Sequence, residues 1–479
     1  MARPGVQILT QTTPPPRNAP SDTGVAFMVG LCDQGDLTPI FVQSIDDFTQ
    51  KCGVRVTYSL LYDAVDIFFR EGGSSAYISR VVGPAAVVAS KNLNDASAAV
   101  SLVAKARGPG AWGNNISIAV LAGIVSGYRI QVVYSGVIVE TSLDLTTQVD
   151  AINWASGNSR YIRLTLGASS LVPAVAAAAA LASGADDRTN ITDAQWQTAL
   201  DLFSKELGPG QVLAPGRTTD TGHQQLCDHA ASHNRCALLD LPDSGTKSTL
   251  ESSATNAKTT GNGQYAIALT PWILNPGVPA GVIRTVPPSA SVAGVISRVD
   301  GSDNPNTPAA GVLGELRYAI GLSQGAFSDN DRQELNSYGI AVVRSVYGTF
   351  WNYGYRSLAD PINNPNWVDF SNVRYLMWLA SRCDLAGEQF VFRPIDGQLH
   401  TISDYGAVLS AICQADYNAG IIYGAVASDA FNVDVGPSVN TPSTIADNQL
   451  RAVVAVRPSP FGELVTITIV NVPITQPVS

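Results

Sequence analysis

Across "VQILTQTT" (residues 6–13) Val6, Ile8 and Leu9 sit among β-branched and polar residues, the composition of a strand, and Pro14, Pro15 and Pro16 follow at once. Three prolines leave no room for a tight turn, so this strand must find its partner away from the next segment. The other end repeats the situation: "LVTITIVNV" (residues 464–472) alternates Val465, Ile467 and Ile469 with Thr466 and Thr468. Both ends therefore read as strand arms in search of a sheet edge. Inside them, "GVAFMVG" and "IFVQ" predict strands over 24–30 and 40–43, and Ser44 backed by Asp46 and Asp47 predicts a helix start. Leu60, Leu61, Ala64, Val65 and Phe68 recur at helical spacing until Gly72 and Gly73 stop them, after which "SAYISRVV" returns as a strand.

Near Gly83 the period shifts to that of strands. "NNISIAVL", "YRIQVVYSGVIVETSL" with a hairpin turn at Ser135 and Gly136, and "RYIRLTL" predict a β domain over about 88–186, closed by the polar linker "ASGADDRTN". Nothing in it concentrates reactive side chains, so display or spacing is its expected job. From Thr192, helical and strand patterns alternate with short links: "TDAQWQTALDLFSKE", "QVLAP", "DTGHQQLCDHAASH", "CALLDL", "GTKSTLESSATNAK", "YAIAL". Such alternation is the signature of an α/β layer with a largely parallel sheet. The last third predicts amphipathic helices around 367–383 and 403–417 and ends in "RAVVAV" and "LVTITIVNV". The expected fold class is thus α/β within an α+β multidomain chain, with a central α/β domain, an inserted β domain and extended terminal strand arms. Phe370, Val373, Met377 and Ala380, at helical spacing, are expected in a core.

Composition narrows the function. The chain has 479 residues, 45% hydrophobic and 14% charged, with 42 glycines and 28 prolines, which describes an ordered, loop-rich protein with much neutral surface. A formal net charge of -10 argues against sequence-independent binding of nucleic acid or of an anionic membrane. The six cysteines (Cys32, Cys52, Cys227, Cys236, Cys383, Cys413) are scattered and expected as free, buried thiols. No basic stretch followed by an apolar core opens the chain, so no secretory leader is expected and synthesis is expected in the cytoplasm. The most apolar run, "LVPAVAAAAALA" (residues 171–182), is about half a membrane span and carries Pro173, which reads as a short packing segment.

Candidate chemistry is sparse. "DSGTKST" (residues 243–249) has a lysine, Lys247, without the glycine framework of a phosphate loop, and the hydrolase and dinucleotide signatures are absent. In "CDHAASHNRC", His229, His233 and Cys236 fall at i, i+4 and i+7 with Cys227 upstream, a conceivable zinc set. Against it, Cys227 points to the other side, and Asn234 with Arg235 marks the helix end, so Cys236 belongs to the next strand. His400 is isolated and the carboxylates are dispersed. The expectation is no catalytic, cofactor-binding or metal residue, hence no enzyme and no cofactor.

Three stretches, in order, carry a resemblance to contractile tail sheath proteins of bacteriophages and related injection machines. "RPGV", "DTGVAFMVGLCDQGDLTPIFVQSIDDFTQKCG" and "SLLYDAVDIFFREGGSSAYISRVV" form the first; "RGPGAWGNNISI" with "QVVYSGVIVE" the second; "VPPSASVAGVISRVDG", "AVVRSVYGTFWNYGYRSL" and "PNWVDFSNVRYLMWLA" the third. An arginine-rich segment common in that family is replaced here by "SVYGTFWNYGYRSL". The resemblance implies a structural subunit forming hexameric rings stacked around a tail tube and contracting to drive the tube through a host envelope. Its implied partners are copies of itself, the tail tube protein, the baseplate and the tail terminator, and its implied place is the tail of a virion. It also implies a division into a linker arm (1–20), the first part of the sheath core (21–87), an outward-facing β insertion (88–186), the central α/β domain (187–350), an inner C-terminal domain (351–460) and a second arm (461–479). The arms, through Val6, Ile8, Leu9, Val465, Ile467 and Ile469, would complete sheets in neighbouring subunits. The competing classes are a metal-dependent α/β enzyme and a non-contractile self-assembling surface protein, the latter requiring export.

Overall fold

The structure, a computed structural model, describes residues 23–277 and 281–463. Both predicted strand arms, with Val6, Ile8, Leu9, Val465, Ile467 and Ile469, lie outside the described residues. The chain forms two compact units, Met1–Ser381 and Arg382–Ser479.

A nine-stranded sheet organises the first unit, in the order Glu315–Leu316, Thr349–Asn352, Ile340–Val346, Ala266–Thr270, Cys236–Asp240, Gln211–Leu213, Ala26–Gly30, Ala76–Arg80, Ile40–Val42. The strands from Ile340–Val346 to Ala76–Arg80 run parallel, and antiparallel pairing is confined to the margins. "AFMVG", "CALLD" and "AIALT" are buried at every position, as strands covered on both faces must be, and their sequences are correspondingly near-continuous apolar runs. On one face Met28, Leu213, Leu238 and Leu269 share a core with helices Leu61–Glu71 and Pro288–Ser302; on the other, Phe27, Val212 and Leu239 pack with Leu200, Leu226 and Leu250 from three further helices. The helix starts follow the sequence: Ser44 caps Ile45–Cys52 by accepting from the Asp47 amide, and Gly72 ends Leu61–Glu71 at φ 116.

Between Ala76–Arg80 and the helix Asp193–Asp201 lies a β-rich insertion with its own core of Leu102, Ile118, Ile130, Val132 and Leu164. It holds a four-stranded sheet (Ala176–Ala180, Ile116–Ala122, Tyr128–Tyr134, Val137–Thr141) and a three-stranded one (Ser90–Asn94, Val100–Ala106, Ile162–Leu166). Ser135 at φ 49 and Gly136 at φ 84 make the expected hairpin turn. Two features correct the all-β reading. Helix Gln148–Asn158 was not anticipated; a capping box between Thr147 and Asp150 starts it, and Ala151 and Ala155 bury its inner face. The alanine run is not a packing segment but an edge strand, Ala176–Ala180, with its side chains mostly exposed, because pairing with Ile116–Ala122 outweighs alanine's low strand preference. The linker "ASGADDRTN" is also tied down, since Val87 and Ala185 exchange backbone hydrogen bonds at 2.8 and 3.0 Å.

In the second unit, helix His400–Asn418 buries Ile402, Leu409 and Cys413, and Arg382 clamps the Asp416 carboxylate. Strands Phe431–Asp434 and Val453–Val456 form a two-stranded antiparallel sheet. Among the described residues no helix is long and apolar enough to cross a membrane.

Candidate functional site and assembly surfaces

The cysteine and histidine segment, the strongest candidate for chemistry in the sequence, is dismantled by its geometry. Helix Asp220–His233 ends at Asn234, whose left-handed φ of 54 turns the chain into strand Cys236–Asp240, so Cys236 leaves the helical face. His229 and His233 stack with centroids 4.1 Å apart, and the His229 Nε2 accepts from Arg235 Nη1 at 2.8 Å, which places a permanent cation against the ring. Burial first, then the Arg235 charge, pushes the His229 pKa down to about 2, so the ring is neutral. Burial pushes Cys227 and Cys236 each up to about 12, leaving unreactive thiols; the Cys236 Sγ lies 3.8 Å from the Met377 sulfur. Among the described residues no group of three or more His, Cys, Asp or Glu side chains is placed to hold a metal ion.

The carboxyl ends of the parallel strands are where an α/β enzyme would work. There Asp240 is buried, and desolvation raises its pKa to about 6, opposed by hydrogen bonds from Ser289 and Gly216. Its Oδ1 accepts from the Ser289 amide at 2.8 Å and its Oδ2 from the Ser289 hydroxyl at 2.7 Å and the Gly216 amide at 3.1 Å. Asp240 is therefore a buried cap on the first turn of helix Pro288–Ser302, with its acceptors engaged. His223 Nε2 lies 2.9 Å from the Asp240 carbonyl and is likewise buried. Lys247, the phosphate-loop lookalike, sits on the first turn of helix Lys247–Ala257 and pairs with Glu334 and with Asp331 at 3.6 Å. It is a surface ion pair. His400 is an exposed first-turn residue whose Nδ1 lies 3.2 Å from Asp396.

Backbone and apolar surface are the features left. Arg80, at the end of its strand, donates to the carbonyls of Cys32, Asp33, Gly35 and Pro109 at 2.6–3.2 Å and to Asp186 at 3.4 Å, pinning the insertion to the core at Pro109 and at its C-terminal end. Its position in "ISRVV" gave a signal of strand only; its role as an anchor comes from contacts far apart in the chain. Large apolar side chains stand fully in solvent: Tyr347 at the turn before Thr349–Asn352, Ile362, Ile124, Val125 and Leu143 in the first unit, and Phe392 in the second. In the second unit the sheet Phe431–Asp434/Val453–Val456 has two strands only among the described residues, with Val453 exposed. Such edges and patches suit burial by other chains. Of the predicted core positions of the helix Phe370–Glu388, Phe370, Val373 and Met377 are buried, whereas Ala380 is exposed.

No family model matches the chain, and no curated protein does. Solved structures do. The anti-feeding prophage (AFP) helical sheath in its contracted state is similar over 98% of this chain and 99% of its own, with a TM-score of 0.57 at 16% identity. The sheath of an extracellular contractile injection system, the PVC sheath complex in contracted state, covers 98% of each chain with a TM-score of 0.57 at 15% identity. A sheath tail protein from Listeria innocua covers 87% of this chain and 89% of its own with a TM-score of 0.60 at 13% identity. The fold, a large mixed sheet with additional small sheets, is the one these sheath proteins have.

Proposed function

We propose that this chain is the structural subunit of a contractile tail sheath, and that it works without catalysis or a bound cofactor. The observation that carries this reading is end-to-end likeness: the similarity to the AFP sheath spans nearly the whole of both chains, not the α/β sheet alone. A fold held in common over only a parallel sheet would fit many enzymes; one held over core, insertion and second unit together fits an assembly subunit. The strand ends of the sheet, occupied by a helix cap in Asp240 and an ion pair at Lys247, support the same reading. In this proposal subunits form hexameric rings stacked on a tail tube protein between a baseplate and a tail terminator. They assemble in a metastable extended state, and a baseplate trigger releases them to a shorter, wider arrangement that drives the tube through the host envelope. Free energy comes from new subunit contacts, so no nucleotide is needed. The arms, residues 1–20 and 461–479, add strands to a neighbour's sheet, and the two-stranded sheet Phe431–Asp434/Val453–Val456 offers the edges they need. Each inter-strand bond contributes about 0.5 to 1.5 kcal/mol net, and repetition over every subunit makes a strong mesh. The insertion, residues 88–186, faces outward. The site of action is the tail of a virion or phage-like particle, with synthesis in the host cytoplasm.

The test is negative-stain electron microscopy of the purified chain at high concentration beside a form lacking residues 1–18. Hollow tubes from the intact protein that vanish on truncation are expected. Dispersed particles from the intact chain even when purified tube protein is added would overturn the reading.

A further inference from the structure

We propose that Cys32 and Cys52 form a reversible intramolecular disulfide on exposure to a peroxide, a modification site that clamps the loop after the first strand onto the helix Ile45–Cys52. Backbone geometry brings the two residues together. The Gln34 amide donates to the Cys52 carbonyl at 3.1 Å, and the Cys32 thiol donates to the Gln34 carbonyl at 3.2 Å, so both residues bracket one backbone contact. The segments touch so closely that a Cβ at Gly53, where φ is 91, would lie 2.9 Å from the Asp33 Cβ. Both sulfurs sit in the same apolar cluster, Cys52 fully buried and Cys32 6% exposed.

The electrostatics divide the labour between them. The neighbouring Cys52 thiol first, and the Arg80 charge as well, lower the Cys32 pKa against the opposing effect of burial, while the Cys32 thiol and burial hold Cys52 well above the usual thiol range. Cys32, the more acidic and the more accessible, is the sulfur that meets oxidant. As its thiolate attacks hydrogen peroxide, an S–O bond forms, the O–O bond breaks and hydroxide leaves. The Cys52 sulfur then displaces the sulfenic hydroxyl, which departs with the Cys52 proton as water. Two electrons pass from the sulfurs to peroxide. The site has a structural consequence, because the carbonyls of Cys32, Asp33 and Gly35 are the ones that hold Arg80, which also grips Pro109 and Asp186 of the insertion's base. A cross-link here would fix the seat of the insertion.

The experiment treats the folded full-length protein with hydrogen peroxide, alkylates it under denaturing conditions and maps the peptides by mass spectrometry. The expected result is loss of two of the six titratable thiols, recovery of a Cys32–Cys52 linked peptide, its return to free thiols with dithiothreitol, and its absence from Cys52→Ser. Full alkylation of all six cysteines after treatment, oxidation of Cys32 to a sulfinic acid without a link, or a link confined to Cys383 and Cys413 would each overturn the proposal. Because the wild-type map decides the matter, failure of the Cys52→Ser variant to fold leaves the test intact.

Discussion

Two buried arginines, Arg80 and Arg235, are held mainly by backbone carbonyls, and that choice has measurable consequences. Arg235, fully buried against the Phe27 ring at 3.7 Å, donates to Phe203, Ser204 and Gly208 carbonyls and to His229. That donation requires a neutral imidazole, which sets a pH dependence. His229 is held at about 2 in the fold and ionises near 6.5 when unfolded, so the unfolded chain takes up the extra proton below about 6.5. The stabilisation is complete above that pH and is lost as pH falls, by about 2 kcal/mol at pH 5. Buried His223, whose pKa is also lowered chiefly by burial, acts in the same direction; Asp240, raised to about 6 from 3.8, acts oppositely, losing stability as pH rises between those values. His229→Gln keeps an acceptor for Arg235 and removes only the titration. Its loss of stability in urea between pH 7 and pH 5 should be about 2 kcal/mol smaller than that of the parent; an unchanged difference would count against the neutral ring. The sequence placed His229 and His233 on a helix face and ended that helix at Asn234, because helical spacing and capping are local. It gave no sign that Arg235 would claim the imidazole nitrogen, since the carbonyls that orient Arg235 come from residues 203–208.

Strands and helices were largely legible where the apolar period was strong. Ala26–Gly30, Cys236–Asp240 and Ala266–Thr270 appear where apolar runs lie between turn residues, and Lys247–Ala257 begins at the Thr246 cap. The misses share a cause. Gln148–Asn158 has a weak apolar stripe, though Thr147 with Asp150 was a readable capping signal, and Ala176–Ala180 is a strand only because Ile116–Ala122 offers it an edge. The insertion carries its own core and its ends meet through the Val87 and Ala185 hydrogen bonds, so removing it need not open the central sheet. Replacing residues 88–184 with a short Gly-Ser link should give a soluble protein with a cooperative thermal transition that still forms tubes if the insertion faces outward. A folded deletion unable to assemble would move the insertion into the assembly interface.

In the proposed assembly the arms tie subunits together, and a substitution there separates folding from assembly. Proline cannot donate to a sheet ladder, so Ile467→Pro should abolish tubes while leaving the circular dichroism spectrum and the melting temperature of the dispersed protein within error of the parent. Tubes of normal length from this variant would show that the C-terminal arm is not a donated strand. Local patterning carried most of the element identities, the α/β alternation and the turn at Ser135 and Gly136, because period, capping and turn chemistry act over a few residues. Ordered stretches of sequence also pointed to the sheath fold that the structural similarities bear out. Tertiary structure alone decided that Ala26–Gly30 and Gln211–Leu213 are neighbours in one sheet across the whole insertion, that Arg80 is the insertion's anchor, and that Cys32 meets Cys52. Those facts depend on which distant surfaces bury one another, and a linear pattern records how apolar a surface is without recording what covers it.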